Sequence, residues 1–335
     1  MPRALTKVPT RTTVTRSRGS ARSGDSIVEQ LSAIESSGGS GDLEFGRGPS
    51  LVISNLGKVF FPATGHTKGD VMRHYARVAP VLLPLLQDRP LVLKRWPDGI
   101  SGQSFFQQKA PDRTPPGVRV ERVPAEGQLA SRLVGGDLRT LLTCVQLGMI
   151  ATNPWHSRVG SLAHPDYSVL DLDPGPQASF RTIVHLARLA KDLLDAAGLT
   201  AGVKTSGNRG MHIFIPLPPK TNAEAALLIA QIFAKKVADA RPRDATVARA
   251  VKARAASAVY MDYLQNVGGK SIASALSVRA NPGATVSAPL GWDELTDDLD
   301  PRAFTIDSIA GELSSRGALW AKAMRAENRL ERMLK

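Results

Sequence analysis

The chain has 335 residues and carries 43 Lys and Arg against 30 Asp and Glu, a formal net charge of +13. That excess favours polyanionic partners, nucleic acid ahead of an anionic membrane surface. Cys144 is the only cysteine, which excludes a disulfide framework and a thiolate metal site and points to a reducing, cytoplasmic setting. No stretch nears the roughly 18 apolar residues of a membrane span, and no apolar signal core follows Met1. In chain order, residues 1–24 hold Arg3, Lys7, Arg11, Arg16, Arg18 and Arg22 without an acid. They read as a disordered basic arm adding affinity for nucleic acid, or as an organellar transit peptide. "SSGGSGDLEFGRGPS" (36–50) reads as a linker, so the sequence predicts an arm and linker over 1–50, with order from Leu51.

"TKGDVMRHYARVAPVLLPLL" (67–86) opens on a Thr67/Asp70 capping box and predicts a helix that Pro80 and Pro84 should break. "RPLVLKRW" (89–96) predicts a strand and "LRTLLTCVQLGMIAT" (138–152) a buried helix. "SFRTIVHLARLAKDLLDAAGL" (179–199) predicts a helix capped by Ser179, with Ile183, Leu186, Ala190, Leu193 and Leu194 as its apolar stripe. "GVKTSGNRGMHIFIPL" (202–217) predicts strand, Gly-bounded turn and strand, with Met211, Ile213 and Ile215 opposite His212 and Phe214. A second helix over 222–240, a strand at "AVYMDYLQN" (258–266) and a short strand in "GATVSAPLGW" (283–292) follow. Interleaved strands and helices imply an α/β or α+β core.

Three groups of residues carry chemistry. "SVLDLDPG" (168–175) ends an apolar strand with Asp171 and Asp173, which share one face about 6–7 Å apart. They are either a solvated turn pair or ligands of a hard divalent cation. "SGNRGMHI" (206–213) combines two glycines with Ser206, Arg209 and His212, as either a triphosphate cradle or an ordinary hairpin tip. Asp262, an acid inside "VYMDYLQN", is either an edge residue or a third ligand.

Together these motifs resemble the polymerase domain of bacterial DNA ligase D, in the archaeo-eukaryotic primase superfamily. The resemblance spans 51–310 and adds "SNLGKVFFPATGHTKGDV" (54–71), "RPLVLKRWPDG" (89–99) with "FFQQK" (105–109), and "SVRANPGATVSAPLGWDEL" (277–295). It implies a primase-like core of central mixed sheets flanked by helices, followed by a basic helical tail at 311–335. It implies Asp171, Asp173 and Asp262 as catalytic ligands of Mn²⁺ or Mg²⁺, and Ser206, Arg209 and His212 as triphosphate contacts. Lys94, Asn153, Gln265 and Arg279 would lie at the incoming nucleotide, and Phe105 and Phe106 against the templating base. Asn55, Lys58 and Lys68 would meet the 5′-phosphate of a DNA end.

The implied activity is addition of NTPs or dNTPs at DNA ends or gaps in non-homologous end joining, at the nucleoid, with Ku and a separate DNA ligase as partners. The alternative is a catalytically weakened module that binds DNA ends. Asn153 stands where the resemblance implies a histidine, with His156 as a candidate substitute. The stretch before Asp262 holds only Arg254 where the resemblance implies a basic cluster, and Ala275 and Leu276 replace a Pro-Tyr pair. No ligase motif is visible, so the chain resembles a stand-alone form. A metal-dependent glycosyltransferase reading of the Asp pair fits the +13 charge poorly.

Overall fold

The computed structural model describes residues 20–125 and 128–331, so the expected arm over residues 1–19 lies outside it. Order begins well before Leu51. Helix α1 (Ser20–Ser36) buries Ile27 and Leu31, and strand β1 (Gly41–Leu43) pairs antiparallel with β2 (Leu51–Ile53). The Gly/Ser composition hid a stripe at Ile27, Leu31 and Ile34, the i, i+4, i+7 spacing of a buried helix face. The residues read as a linker are therefore a helix end, a turn and a paired strand.

Strands β3 (Val59–Phe61) and β4 (His66–Thr67) form a hairpin that leads into α2 (Lys68–Leu86). Thr67 and Asp70 close the predicted capping box. Pro80 and Pro84 do not break α2, because the buried Val78, Ala79, Leu82 and Leu86 hold its second half by packing. A small sheet follows: β5 (Leu91–Arg95) lies between β6 (Phe105–Gln107) and β9 (Asn153–Pro154). Between these come a hairpin, β7 (Val120–Ala125) and β8 (Gln128–Leu133), and α3 (Leu138–Gln146), capped by Asp137. α3 ends before the predicted Thr152, at a turn where Gly148 takes φ +92°.

The rest of the chain builds the large mixed sheet. It comprises β10 (Tyr167–Pro174), α4 (Phe180–Ala196), β11 (Gly202–Thr205), β12 (Met211–Pro216), α5 (Ala223–Ala240), β13 (Ala245–Thr246), β14 (Val259–Asp262) and β15 (Pro289–Leu290). The strand order is β13-β14-β10-β12-β11-β15, antiparallel except for the β13–β14 pair. One face buries Leu170, Leu172, Val203, Met211 and Ile213 against α4 and α5. The residues between them turn to the other face, where the chemistry lies.

The segment read as a basic tail is part of this body. Helix α6 (Leu313–Met324) seats Trp320 edge-on against Phe214, with ring centroids 5.1 Å apart. Its Arg316 bonds Glu294 at 3.1 Å and donates to the Pro289 carbonyl at 2.7 Å. Among the described residues, no helix is long and apolar enough to cross a membrane.

Candidate functional site

Register assembles the site. Asp171 of β10 is the direct partner of Asp262 on β14 and of His212 on β12, and His212 in turn faces Lys204 of β11. Cross-strand partners project to the same side of a sheet. Asp262, Asp171, His212 and Lys204 therefore form one row across four strands, with Asp173 two residues along β10.

The acids crowd one another. Asp171 is pushed up to about 7, first by burial and then by the charges of Asp173 and Asp262. Asp173 is also raised, by burial and by Asp262, against the pull of Arg254 and Arg209. Asp262 accepts the Leu264 N–H at 2.9 Å and the Gln265 side-chain amide at 3.2 Å. Gln265 thus sits on an acid of the row. Arg254 stacks 3.4 Å from the Tyr260 ring centre, on the Asp173 side.

The other half of the row is cationic and buried. Lys204 is fully buried, and its Nζ donates to Ser287 Oγ at 2.7 Å and lies 2.6 Å from His212 Nδ1. Burial, then Lys204 and Arg279, holds His212 well below its ordinary range, so the ring is neutral. Its Nε2 faces Asp171 Oδ1 at 3.5 Å as a polar approach between a neutral ring and an acid. Burial also lowers Arg279, which the charge of Asp171 opposes.

The turn between β11 and β12 is locked from within. Ser206 Oγ accepts the N–H groups of Asn208 and Gly210, each at 3.1 Å. Gly210 is obligatory there, because a Cβ would stand 2.2 Å from the Leu172 carbonyl oxygen. Gly207, at φ +69°, would press a Cβ to 2.5 Å from Arg279 Cγ. Arg209 leans out and donates to the carbonyls of Gly175 and Pro176 at 3.0 and 3.2 Å.

Beside this turn lies a cavity of about 340 Å³ lined by Lys94, Trp96, Phe106, Asn153, Asn208 and Arg279 among others. Lys94 Nζ stands 4.8 Å from the Trp96 ring and 5.5 Å from the Phe106 ring. Phe105 and Phe106 are both exposed, on opposite faces of their strand: Phe106 lines the cavity, and Phe105 meets Arg95. Asn153 donates to the Ala151 carbonyl at 3.0 Å. His156 cannot stand in for it: the ring is buried against Tyr167, held down to about 3, and absent from this cavity's lining.

A second cluster lies at the α1–α2 corner. Asn55, Lys58, Gly38, Gly39 and Glu35 line a cavity of about 450 Å³. Asn55 takes φ +57° to reach it. Lys58 pairs with Asp98, and Glu35 with Arg73. Lys68 is not on the lining. It is buried, donates to the Ser54 carbonyl at 2.9 Å and is lowered to about 8, by burial first and then by Lys58. Lys204 and the α1 glycines were missed in the sequence. A strand lysine gives no local sign of burial, and Gly38 and Gly39 read as linker.

The donor set suits a hard divalent cation: three carboxylates, and a buried acid whose raised affinity for protons a nearby positive charge would relieve. Among the described residues, no three His, Cys, Asp or Glu side chains are drawn together into a finished ligand shell.

Residues 67–320 match the family described as LigD, primase-polymerase domain. The chain is 34% identical over 271 residues to the bifunctional non-homologous end joining protein LigD of Bacillus subtilis, covering 80% of this chain and 43% of that protein. It is 34% identical over 244 residues to the multifunctional LigD of Pseudomonas aeruginosa, covering 72% of this chain and 29% of that protein. It thus spans less than half the length of these relatives. A solved structure, the polymerase domain of Mycobacterium tuberculosis ligase D in complex with DNA, superposes with a TM-score of 0.75 at 28% identity. That match covers 82% of this chain and 98% of the solved one. On this sheet, this row and this likeness, the chain belongs to the LigD primase-polymerase domain family.

Proposed function

We propose that the protein is a DNA-directed nucleotidyltransferase that adds NTPs or dNTPs at DNA ends and gaps during non-homologous end joining. The observation that carries this reading is the register that sets Asp262 directly beside Asp171. A chain without use for a cation would have no reason to keep three acids where burial and mutual repulsion disfavour their charge.

Asp171, Asp173 and Asp262 would hold Mg²⁺ or Mn²⁺, which when bound lowers the pKa of a primer 3′-hydroxyl and neutralises charge on the transferring phosphate. The chain's own residues position the substrates. Arg279 and Lys94 present positive charge to the cavity beside the row, where the nucleotide would sit with Asn153 as a neutral donor. His212 and the turn at Ser206 and Arg209 would meet the triphosphate. Gln265 orients Asp262. Phe106, 69% exposed, offers a face on which a templating base can stack, with Phe105 supporting the same hairpin. Asn55 and Lys58 would receive the 5′-phosphate of a DNA end, with Lys68 as buried support behind them. Ku and a separate ligase are the partners this role calls for.

Primer extension with Mn²⁺ on a gapped duplex tests the reading. The unaltered protein should extend, and Asp171→Ala should abolish extension while the gel-shift affinity for DNA stays within about twofold. Extension by Asp171→Ala would remove the metal assignment. DNA binding without extension by the unaltered protein would leave an end-binding module.

A further inference from the structure

Lys204 is a fully buried amine in the middle of the row, and the proposed chemistry gives it no contact with substrate. Its neighbours define what it does. Ser287 Oγ donates its own proton to the Thr205 carbonyl at 2.6 Å, so it can offer Lys204 only a lone pair. Nζ is therefore a donor on that side. On the other side lies His212 Nδ1 at 2.6 Å. The far nitrogen of the same ring faces Asp171 Oδ1 at 3.5 Å. A bare Nε2 there would set a lone pair against a carboxylate oxygen. The arrangement without a clash puts the single ring proton on Nε2 and leaves Nδ1 to accept from Lys204.

We propose that Lys204 is a positioning residue that fixes His212 in the Nε2–H tautomer, so that a neutral imidazole permanently aims its one donor at the acid row and at the phosphate bound beside it. The inference deepens the nucleotidyltransferase reading and rests on it for the phosphate. The tautomer itself stands on the hydrogen bonds alone. The assignment has a chemical use. A histidine free to hold its proton on either nitrogen would present a lone pair to an incoming phosphate part of the time, and a lone pair repels it. Lys204 removes that state without entering the site, and Ser287 and Thr205 keep its ammonium from rotating away.

The test has a reading that needs no variant. In protein labelled with ¹⁵N-histidine, two-bond ¹⁵N–¹H correlations report the tautomer of each of the six histidines. His212, assigned by its loss in His212→Gln, should show the Nε2–H pattern; an Nδ1–H pattern in the unaltered protein overturns the proposal. Lys204→Met keeps the stem and removes the donor. It should give His212 a mixed or Nδ1–H pattern and raise the KM for NTP about tenfold, the lower range for a hydrogen bond to a charged group, with a smaller change in kcat. The double variant Lys204→Met/His212→Gln should be no worse than His212→Gln alone, since Lys204 acts through the ring. An unchanged His212 pattern in Lys204→Met, or additive losses in the double variant, overturns the proposal. If Lys204→Met fails to fold by circular dichroism, the tautomer of the unaltered protein still decides. If no form extends primers, the enzymatic reading fails while the tautomer result stands separately.

Discussion

At the scale of single residues, Asp171 carries the most electrostatic strain in the described chain. Its carboxyl is raised to about 7, above its ordinary 3.8, by burial and then by Asp173 and Asp262. The folded protein therefore holds this proton more tightly than the unfolded chain. Its contribution to stability is complete at low pH and is lost as pH rises through about 7. In chelator, Asp171→Asn should melt at nearly the same temperature as the unaltered protein at pH 5 and about 2 °C or more higher at pH 8. Saturating Mn²⁺ should stabilise the unaltered protein and not the variant, since a ligand that binds only the native state raises its melting point. Equal melting at both pH values would mean the acids do not repel. All three acids were legible, because i, i+2 spacing on a strand and an acid in an apolar run are local signals. Lys204 was not: its burial depends on which strands lie beside it.

Lys58 is the other residue open to a direct check. Lys58→Ala should reduce the preference for a 5′-phosphorylated over a 5′-hydroxyl recessed end about tenfold in competition gel shifts, the scale of one charge-assisted contact. Loss of affinity for both ends alike would place Lys58 on the general backbone path.

At the scale of elements, the N-terminal helix is the largest departure from what the composition suggested. Leu31 is fully buried in the core shared with α2. Leu31→Ala should therefore cost about 3 kcal/mol and lower the melting temperature by roughly 5 °C. A disordered arm would show no change. α1 also supplies Gly38 and Gly39 to the Asn55–Lys58 cavity, so the variant should weaken discrimination of the 5′-phosphate. The helices with strong 3.6-residue stripes, α4 and α5, were legible to within a residue or two, as were the β11 and β12 strands with their alternation. The short strands β9, β13 and β15 were not, or only in part. A run of two residues has no period to read, and partners distant in sequence create it. Pro80 and Pro84 misled for the same reason: burial outweighed a local rule.

At the scale of the whole molecule, the +13 charge predicts how the protein finds DNA. Counterion release makes affinity fall steeply with salt, so raising NaCl from 50 to 200 mM should weaken binding of a blunt duplex end by about 10³-fold if about six phosphates are engaged. A shallow dependence would mean that base stacking on Phe106, and not charge, dominates. The architecture was legible as interleaved helices and strands, and the motif order carried the likeness to its family. What stayed hidden was how α1 and α6 close over the ends of the domain, because both rest on long-range packing with no motif of their own.

The acid–imidazole–amine row draws one member from each of four strands, and its members stand 91 positions apart at the extremes, from Asp171 to Asp262. No fragment of the polypeptide holds even a rudimentary version of it. Sliding β14 by a single notch would swap Asp262 for an apolar neighbour and leave Asp171 without its partner acid. Competence therefore arrives in one step, when the last hydrogen-bond ladder zips. A nascent or damaged copy cannot linger as a half-active catalyst loose among broken chromosome ends.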